Sequence, residues 1–430
     1  MRALLRDHPQ FRRLWCAQVV SGAGDWLNRV ALLTLIGTLS GPRAAVGVGA
    51  LFAFELAVRF LPVAVVGPLA GPLADRLPRR LLMVTTDVAR TVVVLGYLFI
   101  DEPAHLPWLY GLLALQMAFS IVFDAARSAA VPDTVPKPVL HLALALSAAT
   151  WSAMLTLGAA VGGLLVEVVG VRGVFLLDAA SYLGSAWFLR RLHLPPVPEH
   201  PEPFRWRDVV GFVELRRGLA HARDLGLVPV LLTKSFWWPC GGFLVMLSVV
   251  GHERFGEGGA LAVAGAGSAG LATGLLYGAR GLGTGLGPIL ARRWMGSGDE
   301  QLLRQILLGF AVAITGYALF ATAGSLVVGC LWVFAAHLGG STIWIASTTF
   351  WQRRVDGAFR GRVYAVEFLC MTLTFAGGGL LAGQLYDRTG SIEGTVWVLC
   401  GALTLFAAAW WRQVRAVPRR PVEEAPATGP

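Results

Sequence analysis

Acidic and basic residues stand three or four positions apart at several places inside long apolar stretches of this chain. In each pair the acid precedes the base, and the pairs are Asp25 with Arg29, Glu55 with Arg59, Asp87 with Arg90, and Asp124 with Arg127. On a helix this spacing places both side chains on one face, within reach of each other. Charges are costly in apolar surroundings, so each pair could simply neutralise itself, or its acid could take up and release a proton.

The elements that carry these pairs are too apolar for a soluble protein. The chain has 430 residues, of which 55% are hydrophobic and 14% charged, whereas a soluble domain has about 25% charged residues. A helix crosses a bilayer with about 20 apolar residues. The sequence therefore predicts an all-α membrane protein with twelve transmembrane helices, at 14–38, 46–69, 81–100, 107–127, 140–168, 174–190, 227–250, 262–286, 302–322, 325–350, 363–385 and 394–412.

A long polar segment between the sixth and seventh spans divides the chain into two halves. Gly71-Pro72-Leu73-Ala74-Asp75-Arg76 is echoed by Gly287-Pro288-Ile289-Leu290-Ala291-Arg292, and Gly162-Gly163-Leu164-Leu165 by Gly378-Gly379-Leu380-Leu381, at one offset of about half the chain. These echoes predict two six-helix pseudo-repeat bundles related by an axis along the membrane normal. The predicted domains are an N-terminal bundle at 1–190, a cytoplasmic linker with an amphipathic helix at 191–226, a C-terminal bundle at 227–416 and a disordered tail at 417–430.

Basic residues are distributed unequally between the two sides of the predicted membrane. The net charge is +10, and most Lys and Arg recur at every second loop, with Arg43, Arg172, Arg254 and Arg388 on the other side. This is the pattern of a multi-pass inner (cytoplasmic) membrane protein with both termini cytoplasmic. It argues against a nucleic-acid partner, which would need the basic residues on one folded surface.

Signatures of catalysis, metal binding and nucleotide binding are missing from the sequence. The five Cys residues fall within spans without metal-ligand spacing, and no P-loop lysine or nucleophile elbow is present. We therefore expect no enzyme activity, no metal and no cofactor, and any transport would use an ion gradient instead of ATP.

The loop after the second span carries the most informative motif. Gly71, Asp75, Arg76, Arg79 and Arg80 fall at the spacing of the major facilitator superfamily signature Gly-x-Leu-Ala-Asp-Arg-x-Gly-Arg-Arg, which this loop resembles. Pro78 stands where the family has its second glycine. Three arginines in so short a loop also indicate the cytoplasmic side.

Further motifs resemble the exporter branch that includes enterobactin and macrolide efflux proteins. They are Phe11-Arg12-Arg13-Leu14-Trp15, Gly24-Asp25-Trp26-Leu27, Asp124-Ala125-Ala126-Arg127 and Arg360-Gly361-Arg362-Val363-Tyr364. The resemblance implies a monomeric secondary transporter in membrane lipid, which exports an amphipathic or hydrophobic small molecule by alternating access in exchange for protons. An importer of the same fold and a non-transporting membrane receptor or scaffold are the alternatives.

The resemblance also implies a central cavity lined by the first, fourth, seventh and tenth spans. Asp25 would face that cavity and carry the coupled proton, with Glu55 as a second candidate; Arg29 and Arg59 would be their partners. His337 could titrate near neutral pH, although a lone histidine is more often a packing residue. Lys234 and Arg280 could attract an anionic cargo, but we expect them to reach the inner interface instead.

The family motif further implies a gate on the cytoplasmic side. When that side is shut, Asp75 would cap the helix that starts near Arg362, because a carboxylate stabilises the positive end of a helix. Arg79 or Arg80 would pair with Asp124. Arg127 lies near the inner end of the fourth span and Glu367 near the inner start of the eleventh, and both complete the predicted gate.

Overall fold

The computed structural model describes residues 2–40, 46–196, 212–236, 238–256, 269–415 and 417. Residues 197–211 of the predicted linker and 418–430 of the predicted tail lie outside these residues. The helices of the first half are α1 (Arg2–Asp7), α2 (Pro9–Leu39), α3 (Val48–Arg76), α4 (Arg79–Gly96), α5 (Leu106–Ala130) and the run Leu140–Arg190, which Gly170 divides into α6 (residues 140–169) and α7 (residues 171–190).

The second half continues with the same all-helical pattern in the described residues. Its helices are α8 (Phe212–Asp224), α9 (Val228–Leu231), α10 (Thr233–Phe236), α11 (Pro239–Val249), a π-helical turn (Val250–Arg254), α12 (Ala269–Met295), α13 (Asp299–Ala321), α14 (Leu326–Gln352), α15 (Gly357–Thr389) and α16 (Ile392–Val414).

Hydropathy accounts for most of these helices as membrane spans. Eight helices of the described chain are long and apolar enough to cross a bilayer, and one of them, Lys137–Arg190, has 54 residues. That length is about 80 Å, more than twice the apolar thickness of a bilayer. Gly170 has a φ of 72°, which only glycine adopts at little cost, so the run turns back there and crosses twice.

Three more helical stretches complete the twelve predicted spans. They are α2, α12 and the interrupted series α9 to α11. The sequence predicted the seventh span as one continuous segment, 227–250, and this was wrong in detail. Pro229 and Pro239 each stand in the first turn of a short helix, because proline fits at a helix start but lacks the N–H that a helix interior needs.

The two halves meet along two helix pairs, α3 with α15 and α6 with α12. Glycines make close contact possible in both. A Cβ at Gly383 would lie 2.4 Å from the carbonyl oxygen of Gly49, and a Cβ at Gly274 would lie 2.8 Å from the Cα of Gly163. Such short contacts allow no side chain, so the helix backbones touch directly.

These contacts lie at one end of the bundle, and the opposite end is open. Gly49 and Gly163 lie towards the end that holds the α2–α3 connection, and both halves touch there. At the other end, where the arginine-rich loop lies, α3 loses this cover: residues 49–57 are mostly buried, whereas every residue of 58–69 is half-buried or exposed. The first half has a separate apolar core at that open end, around Phe11, Met83 and Phe123, which lie on α2, α4 and α5.

Helix α8 covers the start of α15 at the open end. A Cβ at Gly218 would lie 2.7 Å from the backbone of Arg362, and the rings of His221 and Phe359 stack with centroids 4.2 Å apart. The sequence predicted an amphipathic helix in this segment, lying on the cytoplasmic face. Its described part, Phe212–Asp224, is helical and packs against α15, and its position on that face stays a prediction.

Candidate functional site

Asp25 lies near the middle of α2, and its side chain is 35% exposed. Its carboxylate accepts a hydrogen bond from the hydroxyl of Tyr182 on α7. The nearest guanidinium is that of Arg90 on α4, whose Nη1 is 3.8 Å from Asp25 Oδ2. Asp25 is thus held by two neighbouring helices and remains partly exposed.

A chain of hydrogen bonds leads from the interior of the first half to Asp25. The hydroxyl of Tyr97 donates to Gln116 Oε1 over 2.8 Å, and Gln116 Nε2 donates to the hydroxyl of Tyr182 over 2.9 Å. Because the Tyr182 oxygen already accepts from Gln116, its own proton is directed to Asp25. The chain therefore orients Tyr182 as a donor to the carboxylate.

Arg90 forms the other side of this site. Its guanidinium donates to Asp87, one turn earlier on α4, and lies over the rings of Phe123 and Tyr182 at 4.4 Å and 4.3 Å. Arg90 and Asp87 are both buried. The ion pair with Asp87 keeps Arg90 in place whether or not Asp25 carries a charge.

A second cluster lies where α2 and α3 meet. Glu55 is 1% exposed, and its two oxygens take one guanidinium each, Arg59 Nε at 2.7 Å and Arg29 Nη2 at 3.7 Å. Two cations therefore share one carboxylate, and the cluster has an excess positive charge. A buried charge of this kind is tolerated only when it is well paired.

The predicted pairing of Asp25 with Arg29 was wrong. Asp25 contacts Tyr182 and Arg90, while Arg29 turns to Glu55 on the neighbouring helix. The spacing of four residues allowed the pair, but carboxylates and donors on adjacent helices offered both groups other partners. The pairs Glu55–Arg59, Asp87–Arg90 and Asp124–Arg127 form as their spacing predicts.

Asp178 on α7 is a further acidic residue, which the search for charge pairs missed. It is fully buried, accepts hydrogen bonds from Asn28 Nδ2 and from Ser181 Oγ at 3.3 Å, and has no cation within ion-pairing distance among the described residues. No basic residue stands three or four positions from Asp178, so a search for acid–base pairs at that spacing does not find it. Its presence alone in an otherwise apolar span was the available signal.

The second half contains a buried ion pair near the open end. Lys234 Nζ on α10 is 3.0 Å from Glu367 Oε2 on α15 and also donates to Thr348 Oγ1 over 2.7 Å. Trp351 Nε1 donates to Glu367 Oε1 over 3.0 Å. The sequence had placed Lys234 at the inner interface and Glu367 in the gate, but here the two neutralise each other within the half.

His337 on α14 is a buried residue with an aromatic partner. Its Nε2 lies 2.7 Å from the hydroxyl of Tyr317, whose ring stacks on Phe243 with centroids 3.8 Å apart. No acidic side chain of the described residues forms an ion pair with His337. This is the environment of a hydrogen-bonded packing residue.

The residues of the predicted cytoplasmic gate lie apart in this structure. Asp75 is exposed and α15 starts at Gly357, directly after Asp356, so Asp75 caps no helix near Arg362. Arg79 donates to Asp133 and to the carbonyl oxygen of Ala129, and not to Asp124. Because this end of the bundle is open, the contacts predicted for its closed state stay a prediction; this includes the roles of Arg76 and Arg80.

At the closed end, a carboxylate caps a helix in the way the sequence predicted for the other end. Asp387 of α15 accepts the backbone N–H groups of Gly49 and Ala50 at the start of α3, both over 2.8 Å. These N–H groups have no partner within their own helix. The contact joins the two halves across their interface.

Buried charge clusters lie inside both helical bundles, around Asp25 and Glu55 in the first half and around Lys234 in the second. Among the described residues no cluster of His, Cys, Asp and Glu could hold a metal ion. A set of buried charges at the interface of two bundles with one open end is typical of a secondary transporter.

Comparison with known proteins assigns the chain to a family. A model of the Major Facilitator Superfamily matches residues 14–274. The chain belongs to this superfamily, as the loop motif predicted, and it is a multi-pass membrane transporter.

Curated relatives match along most of the chain. The uncharacterized MFS-type transporter YfiS of Bacillus subtilis (strain 168) is 26% identical over 436 residues, which cover 94% of each protein. The putative bacilysin exporter BacE of Bacillus amyloliquefaciens is 25% identical over 381 residues, 87% of this chain and 88% of that protein.

Solved structures confirm the predicted fold. The nucleoside transporter NupG (D323A mutant) superposes with a TM-score of 0.71 at 13% identity, covering 93% of this chain and 99% of that one. A bacterial homolog of the human lysosomal transporter Spinster, in an inward-facing and unoccupied conformation, superposes with a TM-score of 0.71 at 15% identity. The match covers 95% of this chain and 97% of that one. At such identities the likeness concerns the fold alone.

Proposed function

We propose that this protein exports an amphipathic or hydrophobic small molecule from the cytoplasm by alternating access, in exchange for protons. The observation that carries the proposal is Asp25, a partly exposed carboxylate within a membrane span that is held by a directed donor, Tyr182, and a fixed cation, Arg90. A carboxylate within the membrane is costly and usually functional. We expect Asp25 to exchange protons with whichever side is open.

The membrane orientation supports cytoplasmic loading in this structure. Arginines concentrate at the end with the 71–80 loop, and basic loops are retained on the cytoplasmic side. On this basis both termini are cytoplasmic in the inner membrane, and the structure is open to the cytoplasm. The similarity to a putative exporter favours the outward direction.

A tryptophan pair that includes the residue after Asp25 suits an apolar cargo. Trp26 follows Asp25 directly, and its ring meets that of Trp151 on α6 edge-on, with centroids 6.2 Å apart. Ligand sites are mostly apolar with a few polar groups that set orientation. The indole pair would contact the cargo body while Asp25 remains accessible beside it.

Protonation of Asp25 would change the forces within the first half and not its fold. When Asp25 is charged, Arg90 interacts with both Asp25 and Asp87. When Asp25 takes up a proton, Arg90 keeps only its ion pair with Asp87, and Asp25 loses its charge within the membrane. A neutral site lowers the cost of closing the halves around it, because no extra charge is removed from water.

The experiment uses inverted membrane vesicles that contain the full-length protein. A growth-inhibition screen in cells without their own efflux pumps first selects a toxic compound, and its accumulation in vesicles is then followed with and without an imposed pH gradient. We expect gradient-dependent uptake that Asp25→Asn abolishes and that the exposed control Asp101→Asn leaves unchanged. Uptake indifferent to the gradient would exclude proton coupling, and compound efflux from the vesicles would indicate an importer.

A further inference from the structure

Arg280 on α12 is a cation without a counter-charge inside the bundle. Its Nε and Nη1 atoms are buried and have no hydrogen-bond partner, and no carboxylate of the described residues lies within ion-pairing distance. Other buried cations of the described chain do have acidic partners, such as Arg59 with Glu55 and Lys234 with Glu367. Arg280 is half-buried as a whole, and its two buried, unpaired nitrogens are donors that an anion from outside the protein would satisfy.

The depth of Arg280 excludes both the inner interface and lipid headgroups as the source of that anion. Helix α12 has 27 residues, from Ala269 to Met295. Arg280 stands about 22 Å along the helix from its cytoplasmic end at Met295, which is farther than an arginine side chain reaches. The prediction that Arg280 reaches the inner interface was therefore wrong.

Arg280 faces an arginine from the other half across a single aromatic ring. The guanidinium carbon of Arg29 is 5.0 Å from the centroid of the Tyr277 ring, and that of Arg280 is 5.6 Å from it. Arg29 also donates to the Tyr277 hydroxyl over 3.5 Å, while its own Nε is buried and without a partner. Two guanidinium groups, one from each half, thus offer free N–H donors around one ring.

The charge balance of this region favours an anionic ligand. Arg29, Arg59 and Arg280 contribute three positive charges, and Glu55 is the one carboxylate that pairs with any of them in the described chain. A carboxylate accepts two parallel N–H donors from a guanidinium, which makes arginine a preferred partner for it. Trp26, 5.6 Å from the guanidinium of Arg29, lies beside the same site and could contact an apolar group.

We propose that the cargo is an organic anion, with a carboxylate that binds Arg280 and Arg29 at Tyr277 and an apolar body that packs against Trp26. This inference rests on the proposed function. It adds a second role to the space between the halves: Asp25 holds the proton, and the arginines hold the anionic group of the cargo. Because Arg29 and Arg280 belong to different halves, the bound anion also joins the halves.

Binding to the purified full-length protein in neutral detergent tests this inference without any gradient. The probes are 4-phenylbutyrate and its uncharged amide, 4-phenylbutyramide, which share one apolar body, and binding is followed by intrinsic tryptophan fluorescence. Charge-assisted hydrogen bonds contribute about 1.5–3 kcal/mol, so we expect the acid to bind at least about tenfold more tightly than the amide. Arg280→Gln should remove this preference, and the exposed control Arg304→Gln should retain it.

A second variant and a stability measurement separate a binding role from a structural one. Arg280→Lys keeps the charge but not the planar fork, so it should retain part of the preference. Without probe, Arg280→Gln should melt at the same or a higher temperature, because an uncompensated buried charge is removed. Equal binding of acid and amide to the wild type, no saturable binding of the acid, or an unchanged preference in Arg280→Gln would overturn the inference.

The anion site and the proton-coupled export can fail independently of each other, and two outcomes distinguish them. Gradient-driven transport of a neutral compound that persists in Arg280→Gln would contradict the anion site and leave proton coupling intact. Selective binding of the acid without gradient-driven transport would support the site and contradict the antiporter.

Discussion

Asp387 on one half of the protein caps a helix of the other half at Gly49. The carboxylate accepts the N–H groups of Gly49 and Ala50, which begin α3 and have no partner within that helix. The sequence motif led us to expect the reciprocal contact, in which Asp75 at the end of α3 caps the start of α15. The two contacts would form at opposite ends of the same pair of helices, so only one is expected at a time.

Asp387→Asn should weaken closure at this end. An amide keeps one oxygen acceptor but loses the charge that favours a helix N-terminus, which contributes about 1 kcal/mol. The reporter is Ala53→Cys, buried between α3 and α15, in a background without the native cysteines. We expect an impermeant maleimide to label it from outside roughly fivefold faster when Asp387→Asn is present than when Asp387 is retained. Asp356→Asn is the control at the other end, and equal rates in both variants would contradict the cap.

Gly274→Ala should disfavour the state seen here. The added Cβ would lie 2.6 Å from the carbonyl oxygen of Ala159 and 2.8 Å from the Cα of Gly163, and backbone atoms cannot turn aside. We expect slower transport and faster labelling of the reporter cysteine Ala53→Cys. Gly401→Ala is the matched control because nothing lies near its Cβ position, and wild-type behaviour of Gly274→Ala would mean that the helices are not held this closely.

Glu55→Gln should destabilise the fold much more than Asp25→Asn. Glu55 is the shared counter-charge of two buried arginines, and breaking a buried ion pair on one side costs about 3–5 kcal/mol. Asp25 is partly exposed and its partner Arg90 keeps Asp87. Thermal unfolding in detergent measures the difference, and Glu55→Gln combined with Arg29→Gln should recover part of the loss. Equal melting temperatures of the two single variants would show that Glu55 is not the main counter-charge.

Asp178→Asn should leave stability unchanged or raise it, in contrast to Asp87→Asn. Both carboxyl groups are buried, but Asp87 pairs with Arg90 whereas Asp178 meets only Asn28 and Ser181. Removing the capacity to ionise therefore breaks an ion pair only at Asp87. The same unfolding measurement distinguishes them, and a large loss in Asp178→Asn would indicate a cationic partner that this conformation does not contain.

Most of the fold could be predicted from the sequence because each membrane span must be an apolar stretch of about 20 residues, which is a local property of the chain. Length and hydropathy alone located the turn near Gly170 and the spans on either side of it. Local rules also gave Glu55 with Arg59, since both groups lie on one helix. The seventh span was less predictable, because Pro229 and Pro239 start new helices where hydropathy is continuous.

Ion pairs between different helices could not be predicted from spacing along the sequence. Asp25 with Arg90, Arg29 with Glu55 and Lys234 with Glu367 depend on which helix faces turn towards each other. The contacts of the predicted gate could not be checked for a different reason. A motif describes contacts across a transport cycle, and one conformation contains those of a single state.

Distances at the two ends of the bundle test the central claim of alternating access most directly. Spin labels at Val48 and Arg388 report on the closed end, and labels at Leu77 and Asp356 on the open end, in full-length protein in lipid nanodiscs at acidic and alkaline pH. The account predicts that one distance shortens while the other lengthens as pH changes, and that Asp25→Asn removes this response while Asp101→Asn does not. Distances that stay fixed, or change at both ends in the same direction, would contradict it.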